Sequence, residues 1–172
     1  EWSRTVGRKL GLPNLWQLDM ASLLVRIGIV AVPQEVLERQ RSKNPLSMVE
    51  MDMLRRIPET GYNFLRSIPR LEGVARIVHY QDKGYDGSGF PKDSVLGEDI
   101  PLEARLLKIL NDLDAADPAP EPSTRAFMLL EKQKNVYDHA LFHKIKNAFA
   151  SGVEAEGLQQ EAAEEFKIDD EH

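Results

Sequence analysis

The feature that most constrains this fold is a run of apolar residues at helical spacing in the second half of the chain. The apolar positions are Leu102, Leu106, Ile109 and Leu113. This pattern predicts one amphipathic helix, ending near Ala115, with its apolar stripe against a core. Other segments have similar helical patterns, strand signals are weak, and no segment is repeated. The sequence therefore predicts an all-α fold, built as a helical bundle.

Local signals place the boundaries of several other helices. The stretch 18–28 predicts a mostly buried helix, since Leu23 and its neighbours are apolar on all sides. Ser47 and Glu50 have capping-box spacing, in which hydroxyl and carboxylate bind the free amides of a helix start. The helix that follows should end before Pro58, because the residue ahead of a proline is disfavoured in the helical region.

The remaining helices are predicted from apolar periodicity and from capping residues. The first of them starts at Pro33 and ends in the polar run 39–44. Two more cover 59–67 and 71–80. The fourth starts at Ser123 or Thr124, and the last runs from Asp138 to Phe149. A proline-rich run at 117–122 predicts a stiff linker between two of them.

Length and composition indicate one globular unit without covalent cross-links. The 172 residues are 42% hydrophobic, which is enough for a single sizeable core. The chain has no cysteine, so it has no disulfide framework, no thiolate metal site and no cysteine nucleophile. No apolar run approaches the ~20 residues that span a bilayer, and no signal peptide is recognisable. We therefore predict a cytoplasmic protein that does not bind a membrane.

The two ends of the chain differ from its middle. The first residue is Glu1, and Val6 to Leu12 resembles the end of a helix, which predicts that another domain precedes this chain. From residue 151 onward eight acidic residues accompany one lysine, a net charge of −7 against −6 for the whole chain. The rest is nearly neutral at +1 and lacks the basic face that DNA binding requires. We predict a helical domain at 1–150 and an acidic tail at 151–172.

A loop in the second half of the chain carries a recognisable motif. Its residues are Asp86, Gly87, Ser88, Gly89, Phe90 and Pro91, and the sequence GEDIPLEAR follows at 97–105. This stretch resembles the signature loop of the HD-GYP family, metal-dependent hydrolases of the bacterial messenger cyclic di-GMP. The resemblance implies an HD-domain-like helical bundle. From the residues alone, the two glycines also suit a tight loop with Phe90 as a hydrophobic plug, so a structural role and a binding role both stay open.

Other segments resemble further motifs of that family. Residues 23–37 resemble its LLHDIGKIGVP segment, 57–61 its HPxxG, 104–115 its ARILxxADxxDA, and 137–149 its closing pattern. The family has metal-binding residues in these segments and an HHE triplet just before the signature loop. In this chain the HHE triplet falls on Gln81, Asp82 and Lys83, and the other metal-binding positions fall on Val25, Arg26, Ile57 and Asn111. Valine and isoleucine have no lone pair, and hard divalent ions need carboxylate or imidazole ligands. The resemblance thus implies a degenerate metal site, with no metal, no other cofactor and no catalytic residue.

Two of these substitutions place positive charges at the former metal site. A unit positive charge about 4 Å from a dication costs roughly 8 kcal/mol at an effective dielectric constant near 20. An arginine in an apolar helix should not stay buried and unpaired. We therefore predict that Arg26, with Lys83, acts as an internal counter-ion bound to Asp82, Asp114 or Asn111.

The histidines offer no clear replacement for the lost ligands. His79 is expected to be a partly buried residue rather than a ligand. His139 and His143 have i, i+4 spacing, which suits a metal and would place them on one helical face. Without a third ligand in the sequence, a surface pair is the prediction.

The sequence predicts a catalytically inactive HD-GYP-like domain that acts through protein–protein contact in a bacterial two-component or cyclic di-GMP pathway. By the resemblance, its partner would be a GGDEF-type protein, a kinase or a receiver protein, and a homodimer stays open. One alternative is a receptor that binds cyclic di-GMP without cleaving it, through Arg26, Lys83, Tyr85 and Phe90. Another is a metal-dependent phosphodiesterase with a rebuilt site.

Overall fold

The described part of the chain folds as helices joined by short connections. The computed structural model describes residues 2–133 and 135–150. Within these residues the only extended pairing is an isolated bridge between Lys83 and Gly89, so the predicted all-α class is confirmed. The α-helices are α1 (Trp2–Lys9), α2 (Leu15–Leu24), α3 (Gln34–Arg41), α4 (Met48–Arg55), α5 (Ile57–Leu65), α6 (Glu72–Tyr80), α7 (Leu102–Ala116), α8 (Thr124–Glu131) and α9 (139–150), with 3-10 helices at Ile27–Ala31 and Gly97–Asp99.

The main core forms around α7, whose apolar stripe faces inward as predicted. Leu106, Ile109 and Leu113 are completely buried, and Val74 and Val78 of α6 belong to the same cluster. Helices α1, α2, α8 and α9 also contribute side chains to it. Each buried side chain of this size contributes about 1.5–3 kcal/mol, so this cluster supplies most of the hydrophobic stabilisation.

A second, smaller cluster supports α3 and the end of α4. Val32, Val36 and Leu37 are buried there, and Leu54 and Ile57 pack against them. Helix α4 itself has no buried residue, so its packing contributes little. This cluster forms the side of the molecule next to the cavity described below.

The predicted start and end of α4 are confirmed. The amide of Glu50 donates to the hydroxyl of Ser47, and the amide of Ser47 donates to the carboxylate of Glu50. The helix ends at Arg55, ahead of Pro58. Because α4 buries so little surface, this reciprocal cap is a main source of its stability.

The predicted helix over 18–28 is shorter than expected. Helix α2 ends within this stretch, Leu23 is 78% exposed, and the chain continues as the 3-10 helix Ile27–Ala31. In that 3-10 helix the backbone passes close to α5, since a Cβ atom on Gly28 would collide with the carbonyl oxygen of Ile57. The prediction that the whole stretch is a mostly buried helix is therefore wrong.

The other helix boundaries lie close to their predicted positions. Ser123 and Asp138 cap α8 and α9, each accepting a hydrogen bond from the backbone amide three residues later. Helix α1 ends at Lys9, short of the predicted Leu12. The acidic tail predicted at 151–172 lies outside the described residues.

The first and last described helices pack against each other. The ring of Trp2 meets the ring of Phe149 edge-on at 5.8 Å between centroids, and Lys9 Nζ donates to the carbonyl oxygen of Ala148. The two ends of the described fold therefore lie side by side.

No single described helix is long and apolar enough to cross a membrane. Residues 15–31 and α3 reach the length and apolar composition of a membrane span only when they are taken together, and the two are bent by 116° relative to each other. Leu18 and Ala21 of α2 and Val36 and Leu37 of α3 are buried in the two clusters.

Candidate functional site

Six of the seven positions that the resemblance assigns to the family's metal site line one open cavity of about 460 Å³. They come from the end of α2, the start of α5, the segment after α6 and the middle of α7. The six are Val25, Arg26, Ile57, Gln81, Asp82 and Asn111, joined there by Asp114 and Gln40. Residues far apart in the sequence thus converge where the resemblance places the metal site. In the structure, Lys83 does not line this cavity.

A chain of amide groups crosses the floor of this cavity. Gln81 is only 4% exposed, and its Nε2 donates to the carbonyl oxygen of Val25 over 2.8 Å. Asn111 Nδ2 donates to Gln81 Oε1 over a longer distance of 3.5 Å. These two neutral bonds connect the ends of α2 and α6 with α7, and each is of the kind that contributes about 0.5–1.5 kcal/mol.

Arg26 lies at the mouth of the cavity and not inside it. Arg26 is exposed, and its guanidinium makes no ion pair or hydrogen bond to any described residue. It also lines a neighbouring pocket with Gln40 and Arg41. The prediction that Arg26 is a buried counter-ion is therefore wrong. The reason is that α2 ends at Leu24, so Arg26 follows the helix and keeps its guanidinium hydrated.

Two carboxylates of the cavity are open to solvent. Asp82 and Asp114 are both exposed. Desolvation nevertheless raises the pKa of the Asp82 carboxyl group, an effect that Lys108 opposes and Asp112 reinforces. The two observations agree because Asp82 lies on a concave wall, where water reaches it but protein displaces part of its hydration shell.

The donor groups around this cavity do not fit the divalent ions that the resemblance implies. The cavity holds two carboxylates and the engaged amides of Gln81 and Asn111, but no imidazole. Across residues 2–133 and 135–150, no three His, Cys, Asp or Glu side chains form a group that could hold a metal ion. Hard dications need several anionic or imidazole ligands in one shell, and this arrangement does not supply them.

Lys83 is completely buried and points toward the motif loop. Its side chain is 0% exposed, and Nζ donates to the carbonyl oxygens of Pro91 (2.7 Å) and Asp93 (3.2 Å). The same ammonium forms an ion pair with Asp93 Oδ1 at 3.0 Å. The prediction that Lys83 lies in the former metal site is therefore wrong. Its acceptors are two backbone carbonyls and a carboxylate that no sequence motif pointed to.

Asp93 is held from three sides at the exit of the loop. Besides Lys83, the hydroxyl of Tyr80 donates to Asp93 Oδ2 over 2.9 Å, and the amide of Val95 donates to Oδ1. Desolvation alone would raise the pKa of Asp93, but the hydrogen bonds from Lys83, Tyr80 and Val95 outweigh it and lower that pKa. Asp93 is thus ionised in the folded protein at neutral pH.

The motif loop is a compact turn with an exposed tip. Gly87 and Gly89 have φ of 84° and 83°, in the left-handed region that favours glycine. A Cβ atom on Gly89 would collide with the carbonyl oxygen of Asp82, so no larger residue fits there without a shift. Asp86 caps the turn, because its Oδ1 accepts from the amide of Ser88 over 2.9 Å.

Only part of the loop is accessible to a partner. Asp86, Ser88 and Gly89 are exposed, whereas Phe90 is half-buried and Pro91 is buried. A binding role for the loop requires that it be exposed, and this holds for the tip but not for the exit at Pro91. Phe90 is therefore partly accessible, and it belongs to neither of the two apolar clusters.

Tyr85 is occupied by contacts within the domain. Its amide donates to the carbonyl oxygen of Val136, and the guanidinium of Arg105 lies 5.9 Å from its ring centroid. The four residues suggested for cyclic di-GMP therefore do not meet, since Arg26 lies at the cavity mouth and Lys83 is buried under the loop.

The histidines have the environments that the sequence suggests. His79 is half-buried, with its ring 4.5 Å from that of Tyr62, and burial lowers its pKa. His139 and His143 are both exposed on α9. They border a small pocket with Tyr137 and contribute nothing to the main cavity.

Asp112 on α7 makes a polar contact with Tyr137 that the sequence did not predict. Asp112 accepts hydrogen bonds from Lys108 Nζ and from the hydroxyl of Tyr137, each at 2.7 Å. Burial and this hydrogen bond raise the pKa of Tyr137. The i, i+4 spacing of Lys108 and Asp112 was the one available signal.

Comparison with known proteins agrees with this architecture. A model of a family described as HD domain matches residues 1–141. The cyclic di-GMP phosphodiesterase response regulator RpfG of Xanthomonas campestris pv. campestris (strain 8004) is 35% identical over 114 residues, which is 64% of this chain and 29% of the relative. This chain thus corresponds to under a third of the length of that protein. The chain belongs to the HD domain family, as a domain of the HD-GYP-like kind.

Proposed function

We propose that this protein is a catalytically inactive HD-GYP-like domain that works in the cytoplasm as a regulatory output of bacterial cyclic di-GMP signalling. It acts by contact with another protein and not by hydrolysis. The pathway is inferred from the relative, which is named as a cyclic di-GMP phosphodiesterase response regulator.

The observation that carries this proposal is the composition of the cavity. Val25 and Ile57 present hydrocarbon where the family has ligands, and Gln81 is already hydrogen-bonded within the protein. Asp82 and Asp114 remain, but two carboxylates without imidazole partners are a poor site for a catalytic metal pair. The cavity is open, and the side chains around it supply few of the donors that a metal pair requires.

The motif loop supports a contact role. Its tip keeps the two glycines in the conformation that only glycine adopts easily, and Asp86 and Ser88 stay exposed there. Around it, Asp93, Glu98 and Asp99 are also exposed. A partner surface with basic groups would complement this loop, and GGDEF-type, kinase and receiver proteins are the partner classes to test.

The chemical part of the proposal is tested with purified full-length chain. Elemental analysis should find no stoichiometric iron, manganese or zinc, and incubation with cyclic di-GMP and added metals should give no hydrolysis. The RpfG relative serves as the positive control for the assay. A metal-to-protein ratio near one, with turnover that a chelator abolishes, would establish the rebuilt phosphodiesterase instead.

Calorimetric titration with cyclic di-GMP in the same preparation tests the receptor alternative. We expect no saturable heat, because the suggested contact residues do not converge on one pocket. Saturable binding that is lost in Arg26→Ala would favour the receptor and contradict the proposal.

The contact part is tested by direct binding of purified GGDEF-type and receiver proteins. We expect Phe90→Ala to weaken binding by about tenfold or more, as interface aromatic residues often do. Met128→Ala is the matched control, since Met128 is 57% exposed on α8 and far along the chain from the loop. Equal binding by both variants would remove the loop from the interface.

A further inference from the structure

The loop exit is organised around a buried positive charge. The ammonium of Lys83 carries three donors, and three acceptors surround it: the carbonyl oxygens of Pro91 and Asp93 and the carboxylate of Asp93. Each donor thus has a partner, which is the condition under which a buried charge is tolerated. No other charged residue among the described ones is buried in this way.

The acceptors all belong to one short segment, 91–93, directly after the motif. Lys83 itself lies before the motif, and the bridge from Lys83 to Gly89 adds a backbone link between the two sides. The amide of Gly84 donates to the carbonyl oxygen of Ser88 over 2.8 Å. The lysine therefore ties the exit of the loop to its entry.

The fixed exit determines how the tip is presented. Tyr80 on α6 binds the same Asp93 carboxylate, so the segment is anchored to the last turn of a core helix. The tip residues 86–89 lie between these two tied ends. Without the ammonium, the two carbonyl oxygens and the carboxylate would repel one another and would need water or a new partner.

We propose that Lys83 is the positioning residue of the motif loop: its buried ammonium holds residues 91–93, and so presents the tip 86–89 in one conformation to a partner. Only the statement that the tip is presented to a partner rests on the proposed contact role of the loop. Lys83 touches no partner itself, because its side chain is fully enclosed.

The test is limited trypsin digestion of the full chain under native conditions. Lys92 is exposed inside the tied segment, and Lys43 is exposed on the connection between α3 and α4. In Lys83→Met, cleavage after Lys92 should rise by about tenfold or more, as local opening becomes easier. Cleavage after Lys43 should stay within about twofold, since that segment does not depend on the loop.

Lys108→Met is the matched control. Lys108 also forms a short ion pair with an aspartate, Asp112, and is largely buried, but it does not contact the loop. We expect its cleavage after Lys92 to equal that of the parent. Asp93→Asn is a milder second variant, which keeps both carbonyl acceptors. Because it changes the residue directly after the bond that trypsin cuts, it is read by amide hydrogen exchange over 86–93, where a smaller rise than in Lys83→Met is expected. This second measurement still tests the inference if Lys83→Met does not fold.

The absence of cysteine from the sequence allows a chemical rescue. Lys83→Cys can be alkylated in denaturant with 2-bromoethylamine and refolded, which restores an ammonium at nearly the lysine length at this site alone. Protection of Lys92 should return. A merely space-filling role would be satisfied by Lys83→Met and would not respond to this restored charge.

Three outcomes would overturn the inference: unchanged protection of Lys92 in Lys83→Met, an equal rise at Lys92 and Lys43, or no recovery after aminoethylation. Partner binding is read separately. If the loop loosens and partner binding stays intact, Lys83 keeps its role and the proposed contact by the loop fails. If Phe90→Ala weakens binding while Lys83→Met leaves Lys92 protected, the contact stands and the positioning role fails.

Discussion

The cavity and the motif loop are adjacent in the chain, since Gln81 and Asp82 line the cavity and Lys83 binds the exit of the loop. They differ in where they place their charged groups. At the cavity, Gln81 and Asn111 form neutral hydrogen bonds, and the charges of Arg26 and Asp82 stay in water. At the loop, a charge is buried and every donor on it is matched. The cavity is thus open and bridged by neutral hydrogen bonds, while the adjacent loop exit encloses a paired charge.

The difference indicates where stability and specificity lie. Neutral bonds at an open cavity tolerate change, because water can replace a lost partner. A buried ammonium does not, because removing it leaves acceptors without a partner in a place that water reaches poorly. Four substitutions or conditions, from the largest expected effect to the smallest, test this comparison.

Lys83→Met should lower the free energy of unfolding by about 2–3 kcal/mol, less than for a fully enclosed pair because Asp93 is partly exposed. Chemical denaturation with urea measures it, with Lys108→Met as the control for loss of a less buried pair. A change below about 0.5 kcal/mol, the usual range of surface substitutions, would show that the ammonium is not needed.

Gln81→Ala should cost about 1–2 kcal/mol, since it removes two hydrogen bonds for which water entering the open cavity compensates only in part. Gln81→Glu adds a contrast, because a carboxylate cannot donate to the carbonyl oxygen of Val25. Both variants are compared by urea denaturation with and without a chelator. A chelator effect on the parent would mean that a metal, and not the amide chain, connects these helices.

Acidification should act in opposite directions at the two regions. The pKa of Asp93 is lowered in the folded protein, so its contribution is present above the unfolded value of 3.8 and is lost as pH falls through the folded pKa. The pKa of Asp82 is raised, so its ionisation costs stability as pH rises from 3.8 through its folded pKa. At pH 7, Asp93→Asn should be less stable than the parent by up to about 1 kcal/mol, and Asp82→Asn more stable.

Both differences should disappear when the carboxyl groups are protonated, at pH values below the two folded pKa values. Stability curves of the three proteins from neutral to acid pH measure this. Parallel curves at all pH values would show that neither carboxyl group is linked to folding.

Arg26→Ala should change the free energy of unfolding by no more than about 0.5 kcal/mol, because an exposed side chain without a partner contributes little. The sequence alone led to the opposite expectation of a buried, paired arginine. A loss of several kcal/mol would restore that expectation and contradict the open position of Arg26.

The sequence predicted those parts of the fold that depend on local chemistry. The cap at Ser47, the apolar stripe of α7 and the cap at Asp138 are each encoded within four to twelve consecutive residues, and each is confirmed. The positions that meet in the cavity could be identified through the family resemblance, because helices of a shared fold bring the same positions together.

The misplaced residues depend on contacts that leave no local signal. Arg26 lies at the mouth of the cavity and not inside it because α2 ends at Leu24, before this residue. The chain then continues as a 3-10 helix in which Gly28 lies against the backbone of Ile57. Lys83 donates to the backbone carbonyl oxygens of Pro91 and Asp93. Because every residue has a carbonyl oxygen, these acceptors cannot be recognised in a sequence. Charge and hydropathy could indicate that a lysine needs a partner there, but not which one.

The contact between Trp2 and Phe149 has a consequence for chain connectivity. Because both ends of the described fold emerge side by side, a linker of a few residues could join them into a circular permutant, with new ends opened in the proline-rich linker at 117–122. In such a molecule the order of the helices along the chain would change while their contacts stayed the same. Any domain fused at one end would likewise emerge beside whatever follows the other end, which makes this face the natural junction for assembling larger proteins.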